Sequence, residues 1–327
     1  RDYLSSFFLY FGLLVGGIAA LISAKPLDSI PAFTTFSAKL IGPAGALQPS
    51  PFWPTVPLIV ACGALSGFHS LVASGTSAKQ LKEEKDALFI GYGAMLVEGF
   101  LATLVIISIA SFGAAALGDK LMATPALGRF VQSFATMVST NLPFLPMSFM
   151  TLFTAVWVST FALTTLDTTN RLGRYIIQEM AEPLKEKNPS RYKFFSNKWV
   201  ASILIAFLGI FLAWSGGYST MWPAFSGANQ LLASVVMLTM AIWVKKKLNP
   251  KYVMSVLIPA AFLWITVTVA LIWYEIVIVP VFFADATKTM NIITGVIVGV
   301  INLFMLILNF MMINSFLKNY KLKPETA

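Results

Sequence analysis

Long apolar stretches alternate along this chain with short polar segments, and the period of that alternation is the width of a bilayer. A helical crossing needs about 20 apolar residues, and eight stretches meet or approach that length: 4–23, 54–77, 87–113, 147–167, 199–214, 222–244, 253–280 and 292–316. The fifth is the shortest; it reaches full length by running back through Ser196 and Lys198, or the bilayer thins around it. The second differs in kind. Its middle reads Ser66-Gly67-Phe68-His69-Ser70 where its neighbours carry leucines and valines. Hydrocarbon offers no partner to a freed N–H or C=O, so such an interruption is tolerated where protein or a watery cavity takes the freed groups over. The pattern predicts an all-α integral membrane protein of about eight transmembrane helices, with a discontinuous helix at 54–77.

Two connections are long. Residues 24–53 are rich in proline with scattered glycine and read as an irregular lid, or as plain linker. In residues 114–146, Leu117, Leu121, Leu127, Phe130, Val131, Phe134 and Val138 recur at helical spacing, with Arg129, Gln132 and Ser133 between them. That spacing predicts an amphipathic helix in an extracytoplasmic loop, covering the bundle or gating it. The remainder, 1–327, reads as one transmembrane domain.

Composition agrees: 57% of residues are hydrophobic and 11% charged, with a mean hydropathy of +0.77, where a soluble domain carries about 25% charged residues. The net charge of +9 would suit nucleic acid, but its distribution gives another reason. With Arg1 inside, alternate segments hold eighteen of the 23 Lys and Arg, and the opposite set holds five. Basic residues favour the cytoplasmic side of short loops, so the charge reports topology, the C-terminus lies in the cytoplasm, and no nucleic-acid partner is implied. The single cysteine, Cys62, excludes an intrachain disulfide, and the single histidine excludes the usual zinc motifs. No Ser/His/Asp set, paired carboxylates, phosphate loop or haem signature is present, so the chain does not read as an enzyme and no cofactor is expected. Arg1 in place of an initiator methionine is expected of a chain that begins inside a longer protein.

Chemistry within the spans concentrates at few positions. His69 adjoins the interruption, well inside its stretch, and titrates near neutral pH in its ordinary state; intramembrane ionisable groups line a pathway or have a partner. Ser66, Gly67, Phe68, His69, Ser70, Ser74, Gly75 and Thr76 form the candidate substrate segment, where hydroxyls replace water around a solute, although small residues also serve helix packing. Glu98, in the third stretch, reads as the most deeply placed carboxylate of the chain, as proton carrier, ion ligand, partner of His69, or a buried neutral acid. Gly91, Gly93 and Gly99 around it read as points of close helix approach. At the end of the fourth stretch Asp167 and Arg171 stand four apart, as an interfacial ion pair would; Thr164, Thr165 and Thr168 beside Asp167 also offer hard oxygens to sodium or a proton relay. Asn229 and Gln230 suit hydrogen bonds across helices. Glu275, after Trp273 and Tyr274, reads as an anchor in an aromatic interfacial belt.

Five segments, RDYLSSF at 1–7, ACGALSGFHSLVASGTSAKQL at 61–81, DALFIGYGAMLVEGF at 86–100, TTLDTTNRLGRYIIQE at 164–179 and MWPAFSGANQLLA at 221–233, resemble the carbon starvation protein A (CstA) family of bacterial inner-membrane transporters. The resemblance implies a multi-pass importer of peptides or of small carboxylates such as pyruvate, coupled to H+ or Na+, working during nutrient limitation. It further implies the second half of a LeuT-type inverted-repeat fold, with the broken stretch opening the second repeat, Thr164 and Thr165 offered to a Na+, and a missing N-terminal half as the partner that completes the pocket. Two segments depart from the family pattern: Ser77-Ala78 stands where Thr-Pro is common, and Thr168-Thr169-Asn170-Arg171 where Ala-Gly-Thr-Arg is common.

Overall fold

The computed structural model describes residues 2–23, 25–29, 37–41, 47–55, 57, 66–121, 123–214, 217–284 and 289–321. Cys62 lies outside the described residues. Helices dominate, and the chain divides into two compact units, Arg1–Thr34 with Ala78–Pro183 and Thr35–Ser77 with Leu184–Ala327.

In the first unit, α1 (Asp2–Ile22), α3 (Ala94–Leu117), α4 (Ala126–Asn141) and α5 (Met147–Ala181) surround one core. Helix α3 continues a π-helical segment, Leu88–Gly93. The shorter α4 falls inside the loop where an amphipathic helix was expected, and its apolar stripe is the centre of the unit: Phe134, Met137 and Val138 are fully enclosed. Two glycines of α1 make the approach possible. A Cβ on Gly16 would fall 2.5 Å from the Phe134 ring, and one on Gly12 would fall 2.5 Å from Trp157. Phe130, Phe134 and Trp157 meet edge to face or tilted at centroid separations of 5.4 to 6.0 Å, geometries that aromatic quadrupoles favour. Leu127, expected on the same stripe, is instead exposed at the first turn. After α1 the chain is tied to α3, with the Ser29 N–H donating to the Ala110 carbonyl at 2.8 Å and the Lys25 ammonium over the Phe112 ring.

The second unit contains α2 (Gly67–Val72, continued by a π-helical turn, Ala73–Ser77), α6 (Pro189–Phe195), α7 (Lys198–Trp214), α8 (Gly217–Lys247), α9 (Val253–Trp273, continued by a π-helical segment, Tyr274–Ile278), α10 (Val279–Phe283) and α11 (Thr289–Lys321). Leu231 and Ala233 of α8, Leu263, Val267 and Leu271 of α9, and Met305 and Leu306 of α11 form its main core. Gly227 lets α8 close on Leu271, whose Cδ2 would stand 2.7 Å from an added Cβ. At the opposite end Lys245 donates to the Tyr320 carbonyl at 2.6 Å and lies over that ring, placing a cation where the dipole of α11 is negative.

Residues 24–53 are not irregular throughout. Ser37–Ile41 (β1) and Leu47–Pro51 (β2) form an antiparallel pair. Proline is kept from central strands because it cannot donate to the ladder, but both strands here are edges. Pro49 and Pro51 stand at alternate positions, opposite Lys39 and Ser37, so both can direct their ring nitrogens away from the partner.

Among the described residues six helical segments are long and apolar enough to cross a membrane, Tyr3–Ile22, Leu88–Lys120, Met147–Ala181, Phe225–Lys247, Pro250–Phe283 and Asn291–Tyr320, and a seventh arises if Pro189–Phe195 and Lys198–Phe211, bent by 62°, count as one, against the eight expected. Of the second stretch, 58–65 lie outside the described residues. Large apolar side chains cover the outward faces of these helices; on α7, Ile203, Phe207, Ile210 and Phe211 are each at least 60% exposed. Apolar surface of that extent belongs in lipid or against further protein, not in water. The chain is a multi-pass membrane protein.

The α4 core gives a direct test. Replacing Phe134 with Ala removes a fully buried ring and is expected to cost about 3–5 kcal/mol, whereas Leu127→Ala on the same helix stays within about 0.5 kcal/mol. Denaturant unfolding in detergent micelles reads both.

Candidate functional site

Helix α2 starts abruptly. Ser66 is extended, with φ −105° and ψ 126°, and the helix begins at Gly67. The first N–H groups of a helix have no partner within it, and at this one the cap comes from another helix. Asn229 of α8 turns its Oδ1 to the break and accepts from the Phe68 N–H at 2.7 Å and from the Ser66 hydroxyl at 3.1 Å. Ser66 occupies the N-cap position without capping its own helix, because its hydroxyl is spent on Asn229.

The approach that makes this possible depends on Gly67. A Cβ there would collide with the Asn229 carbonyl oxygen and stand 2.6 Å from Leu232 Cβ and 2.7 Å from Ala233 N. Two of those three neighbours are backbone atoms of α8, which cannot swing aside as a side-chain tip could. Gly67 is buried, and Asn229 is 5% exposed. Gln230, next to it, is fully buried.

From this latch the segment leads outward. Phe68 is half-buried and its ring meets His69 edge to face at 5.9 Å. His69 is exposed within its unit. The hydroxyls downstream bond to their own helix: Ser70 to the Gly67 carbonyl at 2.6 Å, Ser74 to Leu71 at 3.3 Å and Thr76 to Val72 at 2.7 Å. Each donates its hydrogen and keeps oxygen lone pairs for a further partner. Ser74 and Gly75 lie in the π-helical turn, a distortion often found at functional sites.

The other candidates belong to the first unit. Glu98 is exposed there, next to the partly buried Val97 of α3. Gly91 and Gly99 have no atom within 4 Å of an added Cβ, and Gly93 meets Phe89 of its own segment at 3.8 Å. These glycines are therefore not points of close approach between described helices; Gly12, Gly16, Gly67, Gly227 and Gly295 are. On α5, Asp167 pairs with Arg171 at 3.2 Å, both well exposed. A pair of that exposure contributes at most about 1 kcal/mol. Thr164 donates to the Phe161 carbonyl at 2.7 Å and Thr168 to that of Thr164 at 3.1 Å. Their oxygens retain lone pairs, as a sodium ligand requires, and Thr165 is exposed on the next position. Among the described residues no three His, Cys, Asp or Glu side chains are grouped to hold a metal.

One polar site was missed by the sequence reading. Glu275, expected as an interfacial anchor, has a partner on another helix: Asn302 of α11 donates to its Oε2 at 2.7 Å and, through the same amide nitrogen, to the Leu271 carbonyl at 2.9 Å. Tyr274 beside it is buried at 6% exposure, and Trp273 packs against the same cluster. The stretch Tyr274–Ile278 is π-helical, a departure that periodicity at 3.6 residues does not anticipate. A usable signal existed in Gly295, Gly299 and Asn302, which share one face of an otherwise apolar stretch at helical spacing. A second asparagine of that helix, Asn309, donates to Thr268 at 2.7 Å.

The latch at the break predicts a graded response. Asn229→Leu should lower hydrogen-exchange protection of the Phe68 amide at least about tenfold, the equivalent of one lost hydrogen bond, while Asn229→Asp, which keeps the acceptor, should retain most of it. Gly67→Ala should expose the same amide by pushing α2 off α8. Exchange mass spectrometry over 66–72 measures all three.

A family model described as carbon starvation protein CstA matches residues 1–140 and 110–271. The chain is 29% identical to a protein of Bacillus subtilis (strain 168) named peptide transporter CstA, over 98% of this chain and 56% of that relative. It is 26% identical to the peptide transporter CstA of Escherichia coli (strain K12), over 81% of this chain and 45% of the relative. It is also 26% identical to the pyruvate/proton symporter BtsT of the same organism, over 83% and 47%. The chain spans about half the length of these relatives. No solved structure matches it.

Proposed function

Because this chain belongs to the carbon starvation protein CstA family, we propose that it is part of a secondary active transporter that imports peptides or small carboxylates such as pyruvate, coupled to H+ or Na+. The observation that carries this reading is the latched break. A segment that is extended at Ser66, starts its helix at Gly67 and hands an early amide of that helix to a buried asparagine of another helix supports it, because transporters place polar atoms at mid-membrane with discontinuous helices. The names of the relatives, one for peptides and one for pyruvate and protons, point the same way. Both substrates carry a carboxylate, which His69 and the hydroxyls of Ser66, Ser70, Ser74 and Thr76 are equipped to bind, with Gly75 giving room at the π-helical turn.

In this reading the chain is the second half of a LeuT-type inverted-repeat fold of about eight membrane helices, forming one transmembrane domain in the bacterial inner membrane with its C-terminus in the cytoplasm. The distribution of Lys and Arg supports that orientation. Helix α4 is the extracytoplasmic loop helix, a further N-terminal part completes the pocket, and transport proceeds by rocking the broken-helix unit. His69 and Glu98 carry the coupling, and Thr164 and Thr165, with Asp167 and Thr168 beside them, offer a site to Na+.

The test is radiolabelled pyruvate uptake into proteoliposomes of the whole protein, with di- and tripeptides as competitors. Accumulation above the external concentration is expected, abolished by a protonophore or by sodium removal according to the coupling ion, and abolished or uncoupled in His69→Ala and Glu98→Gln. Thr164→Val with Thr165→Val should raise the sodium requirement and leave a proton-driven process unchanged. Equilibration without accumulation would identify a facilitator instead, and wild-type accumulation by the His69 and Glu98 variants at every pH would remove those residues from the coupling.

A further inference from the structure

We propose that Glu275 is a proton-exchanging carboxyl of the transport cycle, with Oε1 the atom that gains and loses the proton; this deepens the proton-coupled reading above and rests on it. Three observations lead there. The carboxyl lies inside an apolar span, Pro250–Phe283, and its partner Asn302 stands near the middle of another, Asn291–Tyr320. Ionisable groups in such places are costly and mark ion or proton pathways. Its two oxygens are treated differently: Oε2 is held by the Asn302 amide, while Oε1 lies beside Gly299, 3.5 Å from where a Cβ would stand. The glycine leaves that oxygen room to carry a hydrogen. Asn302 is itself fixed, because its nitrogen also donates to the Leu271 carbonyl, three residues before the π-helical segment begins.

No described cation neutralises the carboxyl. Helix α11 has no Asp, Glu, Lys, Arg or His before Lys318, α8 has none before Lys245, and α9 and α10 have none. The other titratable groups on these elements ahead of the basic ends are Tyr218 and Tyr274, and the Tyr274 hydroxyl is buried without a described partner. A neutral amide is a donor that both forms of the carboxyl can use, since the acid and the carboxylate each accept at Oε2. The pair can therefore change charge without losing its bond. The step is one proton transfer: an O–H bond forms at Oε1 with a proton from water, the carboxylate charge is cancelled, and the proton returns to water on the other side of the cycle.

Glu275 stands on another element than His69, and its location bears on how the cycle is coupled. The contact joins the π-helical end of α9 to α11 beside Gly295 and Gly299, where a Cβ on Gly295 would fall 2.7 Å from Phe282 and one on Gly299 3.2 Å from Val279. Charge on Glu275 thus appears at a seam that has no side-chain cushion on the α11 side.

The experiment measures protons entering per pyruvate taken up, with an entrapped pH-sensitive dye in proteoliposomes of the whole protein. Glu275→Gln keeps an acceptor for Asn302 and the same volume, and is expected to cut proton entry per pyruvate at least tenfold. Glu275→Asp should restore part of it. Asn302→Leu, which keeps the carboxyl and removes its donor, should slow proton entry several-fold, so the proposal remains testable if the glutamine variant fails to fold. A wild-type ratio in Glu275→Gln, or an Asn302→Leu protein indistinguishable from wild type together with an aspartate variant as deficient as the glutamine one, would overturn the proposal alone. Pyruvate uptake by the wild-type protein with no proton entry would overturn the proton-coupled reading and this inference with it.

Discussion

The first amides of a helix have no acceptor within it, and the second unit of this protein is arranged around one that finds its acceptor on another helix. Phe68 opens α2 after an extended Ser66, so the acceptor is brought from α8 as the side chain of Asn229. That single bond sets demands on its neighbours. Position 67 can carry no side chain, since the α8 backbone occupies the volume of its Cβ. Helix α8 in turn has to stand still, and it does so because Leu231 and Ala233 are embedded with α9 and α11 in one core. A loose α8 would leave the Phe68 amide uncompensated, at a cost of several kcal/mol in lipid.

The same economy recurs at three further polar side chains of the second unit. Asn302 gives one nitrogen to two acceptors, a main-chain carbonyl and a carboxylate. Asn309 gives to Thr268, which itself donates to the Trp264 carbonyl. Lys245 closes the C-terminal end of α11. In each case a polar side chain meets a group of another helix or of a helix end. Hydrogen bonds across membrane helices contribute modestly, about 0.6 kcal/mol on average, so their value here is in fixing which faces meet.

Much of this was legible in the chain. The spans are visible because a helix in lipid needs a long apolar run whatever it packs against, and the helix of the long loop showed because Phe130, Phe134 and Val138 are spaced for one buried face. The discontinuity expected in 54–77 is seen only from its C-terminal side, where Ser66 is extended and a helix starts at Gly67, since 58–65 lie outside the described residues. What escaped was set by tertiary partners. The hairpin at Ser37–Ile41 and Leu47–Pro51 was hidden by prolines that a two-stranded ribbon tolerates. The bond between Glu275 and Asn302 escaped because it depends on a partner helix far along the chain. The glycines near Glu98 show that composition alone does not say which glycine is a contact: Gly91 and Gly99 face no neighbour, and Gly16 faces Phe134. Asn229 was recognised as a polar contact, but nothing in sequence tells which amide it would serve.

The position of α4 has a consequence for biosynthesis. Its buried face is completed by Gly16 of α1, Phe112 of α3 and Trp157 of α5, and the last of these follows it in the chain. While the nascent polypeptide is emerging, Phe130 and Phe134 are made before the indole that closes over them, so the amphipathic segment waits with a wet aromatic edge until the next span has been inserted. The first unit thus matures as a sequence of translation-ordered events, and the arrival of Trp157 is the moment at which its assembly becomes cooperative.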